Sequence, residues 1–439
     1  MRLTKNDLYD APLLNTPGLS RDLGTVMIVA PHPDDESLGC GALIAHLRDQ
    51  QATVWVLFMT NGEASHPNSR AFPPEKLGSL RRKEAIKACE TLGVSREYLI
   101  FLNAGDGKLA DYSDEDNPVS TQLSEIFRQK NIDTLFVPWR RDHHIDHLAT
   151  TRLVKDSIKD QELIVAEYPV WLLNKGKEED WPRKKEMLPF RLAVGEVKHK
   201  KEMAINAHES QTTEMISDDP DGFILTRELL EPFLGDFEYF LFPSEPKPAI
   251  PESYFDELYS EDEDPWDFET SPYEKRKYKT TLAAIPEKEY TKALEIGCSN
   301  GVFTSMFAPE CKSLLALDLN DAALDSAKNR CKYLAQCEFL KWDVSQGLPG
   351  TGYDIIVLSE VGYYFEKSKL RSLYKNIQRS LLPGGILVMV HWTAYVRQYP
   401  LTGRQVHEIF TEKHDGSFNF ISSQREELYE LMVWEKLEK

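Results

Sequence analysis

The sequence predicts an α/β protein built twice over: two mostly parallel sheets, each with helices on both faces. Three observations predict it. Short uncharged β-branched runs alternate with amphipathic helical stretches in the first 160 residues. The same alternation restarts at Lys292. Between the two, Pro243-Ser-Glu-Pro-Lys-Pro-Ala-Ile-Pro251 carries four prolines in nine residues, which neither a helix nor a sheet interior accepts. At 439 residues the chain exceeds one ordinary core. The expected division is a domain at 1–242, a linker at 243–251 and a domain at 252–439.

In the first half the expected order is strand 26–30, helix 39–50, strand 54–60, helix 77–92, strand 98–102, helix 120–130, strand 134–137 and helix 146–158. Beyond these the pattern is less regular, with a strand at 163–169 and a helix at 196–207. In the second half, strand 293–297 runs into Gly297-Cys-Ser-Asn-Gly301 and a short helix to 307. Strand 314–319, helix 322–331, strands 338–342 and 353–359, helix 367–381 and strand 386–392 follow. Apolar runs at 418–421 and 428–434 are placed to close the sheet.

Lys and Arg total 52 against 71 Asp and Glu, a formal charge of −19, so nucleic acid is excluded as an expected partner. The six cysteines form no Cys-x-x-Cys pair, which suits reduced thiols in the cytoplasm. The N-terminus has no apolar segment of signal type and no run reaches membrane-spanning length, so a soluble cytoplasmic protein is expected.

Two constellations carry chemistry. Pro31-His32-Pro33-Asp34-Asp35-Glu36 follows the first strand, and His143-His144-Ile145-Asp146-His147 follows the strand at 134–137. Both therefore lie at the carboxyl edge of one sheet, where open α/β folds bind ligands. His32, Asp35 and His147 offer two imidazoles and a carboxylate to one divalent metal. Three protein ligands with an open position suit hydrolytic zinc, and two histidines with a carboxylate also suit ferrous iron. Asp34 would stand beside the metal water as a base, while capping of the following helix is the simpler role for either aspartate. In the second half, Glu295-x-Gly297-x-x-x-Gly301 makes a glycine turn after a strand. Asp318 ends the next strand, where an acid can bind ribose hydroxyls, and Asp343 ends the one after, where a carboxylate can accept from an adenine amine. Together they describe an S-adenosylmethionine pocket, with Glu360 at its acceptor side.

From about residue 26 to 214 the chain resembles the PIG-L-type N-acetylglucosaminyl deacetylases. Asn61-Gly62-Glu63, Arg81-Arg-Lys-Glu84, Leu92-Gly93 and His208-Glu-Ser-Gln211 carry the likeness beside the ligand motifs. The glycine turn and its acids resemble class I methyltransferases. More narrowly, residues 252–391 are similar to the nodulation S-type N-methyltransferases, through Asp264-Pro265-Trp266, Ser271-Pro-Tyr273-Glu274, Leu294-Glu-Ile-Gly-Cys298 and Ser359-Glu360-Val361-Gly362-Tyr363-Tyr364. These resemblances imply Rossmann-like domains. They also imply a bifunctional enzyme that removes an N-acetyl group from an amino sugar and methylates a nitrogen, the freed amine being the chemically sensible acceptor. The substrate would be a small molecule or oligosaccharide, free or carried on a lipid or nucleotide. His144 would stabilise the oxyanion or protonate the leaving amine, with Asp146 orienting or charging its ring. Tyr363, Tyr364 and His391 join Glu360 as residues to orient the acceptor. Arg70 and Asp106 are candidates for sugar hydroxyls, with surface ion pairing the plainer role. Two alternatives stay open. One is an amidase of a non-sugar molecule beside a methyltransferase acting on a different group; the other is a silent sugar-binding half.

Overall fold

Val26–Ala30 (β1) is buried at all five residues, as a strand covered on both faces must be. The structure is a computed structural model that describes residues 2–112, 117–159, 161, 163–414 and 416–438; Met1 and Lys439, the outer limits of the expected domains, lie outside these. The chain divides into two units, Met1–Glu245 and Pro246–Lys439.

In the first unit β1 is joined by β2 (Val54–Thr60), β3 (Leu99–Ala104), β4 (Thr134–Pro138), β5 (Ile164–Tyr168), β6 (Met187–Ala193) and β7 (Phe237–Pro243). The sheet order is β3-β2-β1-β4-β5-β7-β6. β1 pairs in parallel with both β2 and β4, and β7 runs antiparallel to its neighbours β5 and β6. Alternate residues of β1 face opposite layers: Met27 and Val29 pack with Leu57, Leu123, Leu135 and Leu153. The helices longer than five residues are α1 (Asp35–Asp49), α2 (Pro74–Thr91), α3 (Pro118–Gln129), α4 (Ile145–Ser157) and α5 (Lys198–Asn206). Prolines at the first position of α2 and α3 set φ for helix entry and lose no needed donor.

The second unit contains β8 (Ala293–Ile296), β9 (Leu314–Asp318), β10 (Cys337–Lys341), β11 (Tyr353–Ser359), β12 (Leu381–Trp392), β13 (Phe418–Arg425) and β14 (Tyr429–Lys436). Their order, β10-β9-β8-β11-β12-β14-β13, repeats that of the first unit strand for strand. Its helices are α6 (Glu252–Glu261), α7 (Pro272–Ala284), α8 (Val302–Phe307), α9 (Asp321–Arg330), α10 (Lys367–Ser380) and α11 (Gly403–Lys413). Each unit is thus a mixed, mostly parallel sheet flanked by helices.

β7, α6 and α7 have no counterpart in the expected order, and three further differences stand out. α1 starts at Asp35 and not near residue 39, so Asp35 is itself in the first helical turn. β6 is a strand that the pattern hid, because Pro189 and Arg191 break its alternation; it lies at the sheet edge, where proline is tolerated. The proline-rich stretch is divided between the units: Pro243 ends β7, while the Ile250 amide bonds to the Tyr364 carbonyl at 3.0 Å.

Candidate active sites

In each sheet the strand order reverses beside β1 or β8, and both constellations lie in the loops leaving that point. In the first unit Pro31 to Asp34 form the turn from β1 into α1. Asp34 has φ of 135°, a region that L residues avoid, so its neighbours must hold it there. Arg81 on α2 does so, donating from Nη2 to the Pro33 carbonyl at 2.6 Å and to Asp34 Oδ2 at 3.0 Å. The Asp34 amide donates to Glu36 Oε2 at 2.9 Å, and Glu36 Oε1 lies 3.0 Å from His208 Nε2. The His208-Glu-Ser-Gln segment therefore packs behind the turn. Ser210 closes the back by donating to Glu84 of α2.

The two ligand-type imidazoles are each held from behind by a carboxylate. His147 Nδ1 lies 2.8 Å from Asp142 Oδ2, and Asp142 also accepts from the Trp171 and Leu172 amides. An ionised Asp142 can only accept, so Nδ1 carries the proton and Nε2 presents its lone pair. That Nε2 is buried, has no hydrogen-bond partner and faces Asp35 Oδ2 at 3.3 Å. His32 Nε2 lies 3.1 Å from both Asp146 Oδ2 and Asp106 Oδ1, which turns its Nδ1 toward the same Asp35 oxygen at 3.3 Å. His32 Nδ1 and His147 Nε2 thus each face Asp35 Oδ2, which also accepts from the His32 amide at 3.0 Å. Such a set suits a cation, and carboxylates behind the rings are what metal-ligating histidines use. His144 adds a third imidazole: ligand nitrogens of His32, His144 and His147 lie within 4.8 Å of one another, as do ligand atoms of His32, Asp106 and Asp146.

The electrostatics report the same demand for positive charge. Burial disfavours a charged His147, yet Asp35 and Asp142 push its pKa up to about 9. Burial likewise opposes a charged His32, and Asp106, Asp146 and Asp35 raise it well above the imidazole range. Burial acts on Asp35 too, but His147 and His32 hold it far below the carboxylate range. Burial pushes Asp34 up to about 6, with Arg81 opposing the rise. His144 goes the other way, down to about 4, through burial and the neighbouring His32 and His147.

One expected role changes. The Asp146 carboxylate does not orient His144: it faces His32 and accepts from the Gly107 and Leu109 amides, while His144 Nδ1 accepts from the Asp146 backbone. Asp106 faces His32 as well, and Arg70 is exposed. Asp142, Arg81 and Glu36 were missed as site residues. The signal was available for Asp142, an acid just ahead of His143-His144, because a metal-ligating histidine needs a carboxylate at its other nitrogen.

In the second unit the glycine turn is obligatory. Gly297 has φ of 85°, and a Cβ there would stand 2.2 Å from Val361 Cγ2; Gly301, at 77°, would meet Ala327 Cα at 2.8 Å. Asp318 braces the turn, accepting from the Ser299, Leu319 and Asn320 amides. Asp264 accepts from the Phe268 and Glu269 amides and from Asn300 Nδ2, which ties the acidic segment before α7 to the same turn. Asp343 bonds Ser345. Glu295 lies buried beneath the turn with Oε2 unpartnered, and burial pushes its pKa up to about 8. Asn300 Oδ1 is a second buried acceptor without a donor. Glycines that admit a ligand closely, beside orphaned acceptors, fit a cofactor bearing an amine and hydroxyls.

Glu360, at φ of 56° just after β11, receives Lys277 Nζ at 2.6 Å, the Tyr363 hydroxyl at 2.7 Å and the Trp392 amide at 2.8 Å. His391 is committed inward: Nε2 accepts from the Gly362 amide, and Nδ1 lies 3.2 Å from His407 Nε2. The buried Lys277, also paired with Glu274, was not foreseen. One lysine in the basic run Lys275-Arg276-Lys277-Tyr278-Lys279 carries no sequence signal for burial.

Residues 27–158 match the PIG-L family, GlcNAc-PI de-N-acetylase, and residues 256–396 match the family Nodulation protein S (NodS). Nodulation protein S of Rhizobium tropici is 33% identical over 128 residues, covering 29% of this chain and 54% of the relative. The 2'-N-acetylparomamine deacetylase of Streptomyces fradiae is 28% identical over 147 residues, 31% of this chain and 52% of the relative. The chain therefore spans about half the length of these curated relatives. The crystal structure of N-methyltransferase NodS from Bradyrhizobium japonicum WM9 with S-adenosyl-l-homocysteine aligns at 25% identity and a TM-score of 0.39, over 43% of this chain and 98% of that one. This chain therefore joins an N-terminal region that matches the PIG-L family to a C-terminal region that matches the NodS family.

Proposed function

We propose that the first unit hydrolyses an N-acetyl group from a hexosamine-type substrate and that the second methylates the freed amine with S-adenosylmethionine. The observation that carries the first half is the convergence of His32 Nδ1, His147 Nε2 and Asp35 Oδ2, which would hold a divalent ion, zinc by its ligand types. That ion would supply an acidified water and polarise the acetyl carbonyl. The chain's own groups do the rest. Asp34, paired with Arg81, would take the water proton. The His144 ring accepts at Nδ1, so its proton sits on Nε2 and donates to the developing oxyanion.

The relatives' names support an N-acetylated amino-sugar substrate and an N-methyl product. The order follows from chemistry: an acetamide nitrogen delocalises its lone pair into the carbonyl, whereas a free amine can attack a sulfonium methyl. In the second unit, Gly297, Gly301, Asp318, Asp343, Glu295 and Glu360 would line or brace the cofactor pocket, and alignment of nitrogen with methyl carbon is the main requirement. Cysteines present as free thiols support a cytoplasmic setting.

The test uses Asp34→Asn. With methyl-labelled S-adenosylmethionine, the variant should fail to label an N-acetylhexosamine oligomer yet label its free amine at the wild-type rate. Labelling of the acetylated compound at the wild-type rate would show that the two units do not share a nitrogen.

A further inference from the structure

Helix α10 carries Lys367, Lys369, Arg371, Lys375 and Arg379 and no acid in fourteen residues, within a chain of net charge −19. Its apolar stripe, Leu370, Leu373, Tyr374 and Ile377, is buried. The residues three and four positions either side of Arg371 and Lys375 include no Asp or Glu, so the helix does not neutralise its own cations. Beside them lies a cavity of about 340 Å³, between α10, α11 and β13. Arg371, Lys375 and His414 supply its polar wall, and Tyr374, Phe410 and Phe418 its apolar wall.

Two buried nitrogens at this cavity have no protein partner: the Arg371 Nε donor and the ring nitrogen Nδ1 of His414. A buried guanidinium nitrogen left unmatched is unfavourable, and a ligand oxygen would relieve it. The Tyr374 hydroxyl is already committed to the Val406 carbonyl at 2.7 Å, so this residue offers the cavity only its ring. Phe410 stacks on the His414 ring with centroids 5.8 Å apart, while the Tyr374 and Phe418 rings stand edge-on to Phe410 at 82° and 68°, leaving a slot between ring edges. The cavity is at the low end of the roughly 300–1,000 Å³ typical of ligand pockets, room for a molecule of one ring. It belongs to the far edge of the sheet: β11, β12 and β14 separate β13 from β8, whose loop holds the glycine turn.

We propose that this cavity is a second ligand site of the C-terminal unit, binding a small anion, phosphate ester or carboxylate, carried on a flat apolar body. The anion would sit between Arg371 and Lys375, with the ring against Phe410 and Phe418. A planar guanidinium suits either oxyanion, and the aromatic wall rejects an anion without an apolar part.

Calorimetric titration of the full chain with phenyl phosphate, benzoate and inorganic phosphate tests this. Saturable binding of one phenyl phosphate or benzoate per chain is expected, about tenfold or more tighter than inorganic phosphate. The preferred aryl anion identifies the head group. Arg371→Gln with Lys375→Gln should weaken that binding about tenfold or more while S-adenosylmethionine binding stays unchanged. If the double variant misfolds, Lys375→Glu alone, at an exposed position, should give the same loss. Three results would overturn the proposal: no saturable binding of either aryl anion, inorganic phosphate bound as tightly, or unchanged affinity in a folded variant.

Discussion

The two units share one strand order and put opposite chemistry at the same point of it. After β1 the chain makes a strained turn held by Arg81, rich in imidazole and carboxylate, with ligand atoms about 3.3 Å apart. After β8 it makes a glycine turn that a single added carbon would block. Both turns leave at the reversal of strand order; imidazoles and carboxylates meet at the first, while Val361 and Ala327 pack directly against the glycines of the second. Topology thus gives the location of a site, and the few residues in the first loop decide whether it grips an ion or admits a flat cofactor.

The largest expected effect breaks the first site and spares the second. His147→Ala removes the imidazole whose Nε2 faces Asp35 and should abolish acetate release, with metal content by mass spectrometry falling to background. Binding of S-adenosylmethionine should be unchanged. The mirror experiment is Gly297→Ala. Its Cβ would stand 2.2 Å from Val361 Cγ2 at a left-handed φ, so cofactor affinity should fall tenfold or more, to roughly micromolar-to-millimolar levels, while acetate release persists.

A smaller effect sharpens the account of the ligands. Asp142→Asn keeps the shape behind His147 but weakens the acceptor for Nδ1, and metal affinity should drop by about 10–100-fold. Metal competition with a chromophoric chelator measures this; unchanged affinity would remove Asp142 from the site.

The buried acid beneath the glycine turn predicts a pH dependence. Glu295 has a folded pKa of about 8, above its unfolded value, so folding favours its protonated form. The stability tied to that proton is present in full below the unfolded value of about 4.3 and is lost as pH rises through about 8. Glu295→Gln should therefore raise the melting temperature of the C-terminal transition at pH 8 by roughly a few degrees relative to pH 5. An equal shift at both pH values would show that Glu295 is ionised in the folded protein. Least of all should come from Lys87→Ala, which removes an exposed ion pair with Glu209 at 3.1 Å and should change stability by less than about 0.5 kcal/mol.

Much of this was legible in the chain. Runs such as Val26–Ala30 and Tyr353–Ser359 are apolar because both sheet faces are covered, and that composition survives translation into sequence. The α/β alternation followed from local pattern, and His32, Asp35, His147, Gly297 and Asp318 were singled out by what comes after which strand. Local pattern did not reach the partners. Which nitrogen of His32 is free depends on Asp146 and Asp106, brought by separate segments. The placement of Asp146 on His32, 114 residues away, has no local signature. The same holds for Lys277, whose burial between Glu274 and Glu360 depends on how α7 packs against the loop after β11. Periodicity and turn chemistry act between neighbours in sequence and so can be read from it. Ring orientation, proton position and the pairing of buried charges depend on atoms that meet only when the sheet forms, and the tertiary structure alone decided them.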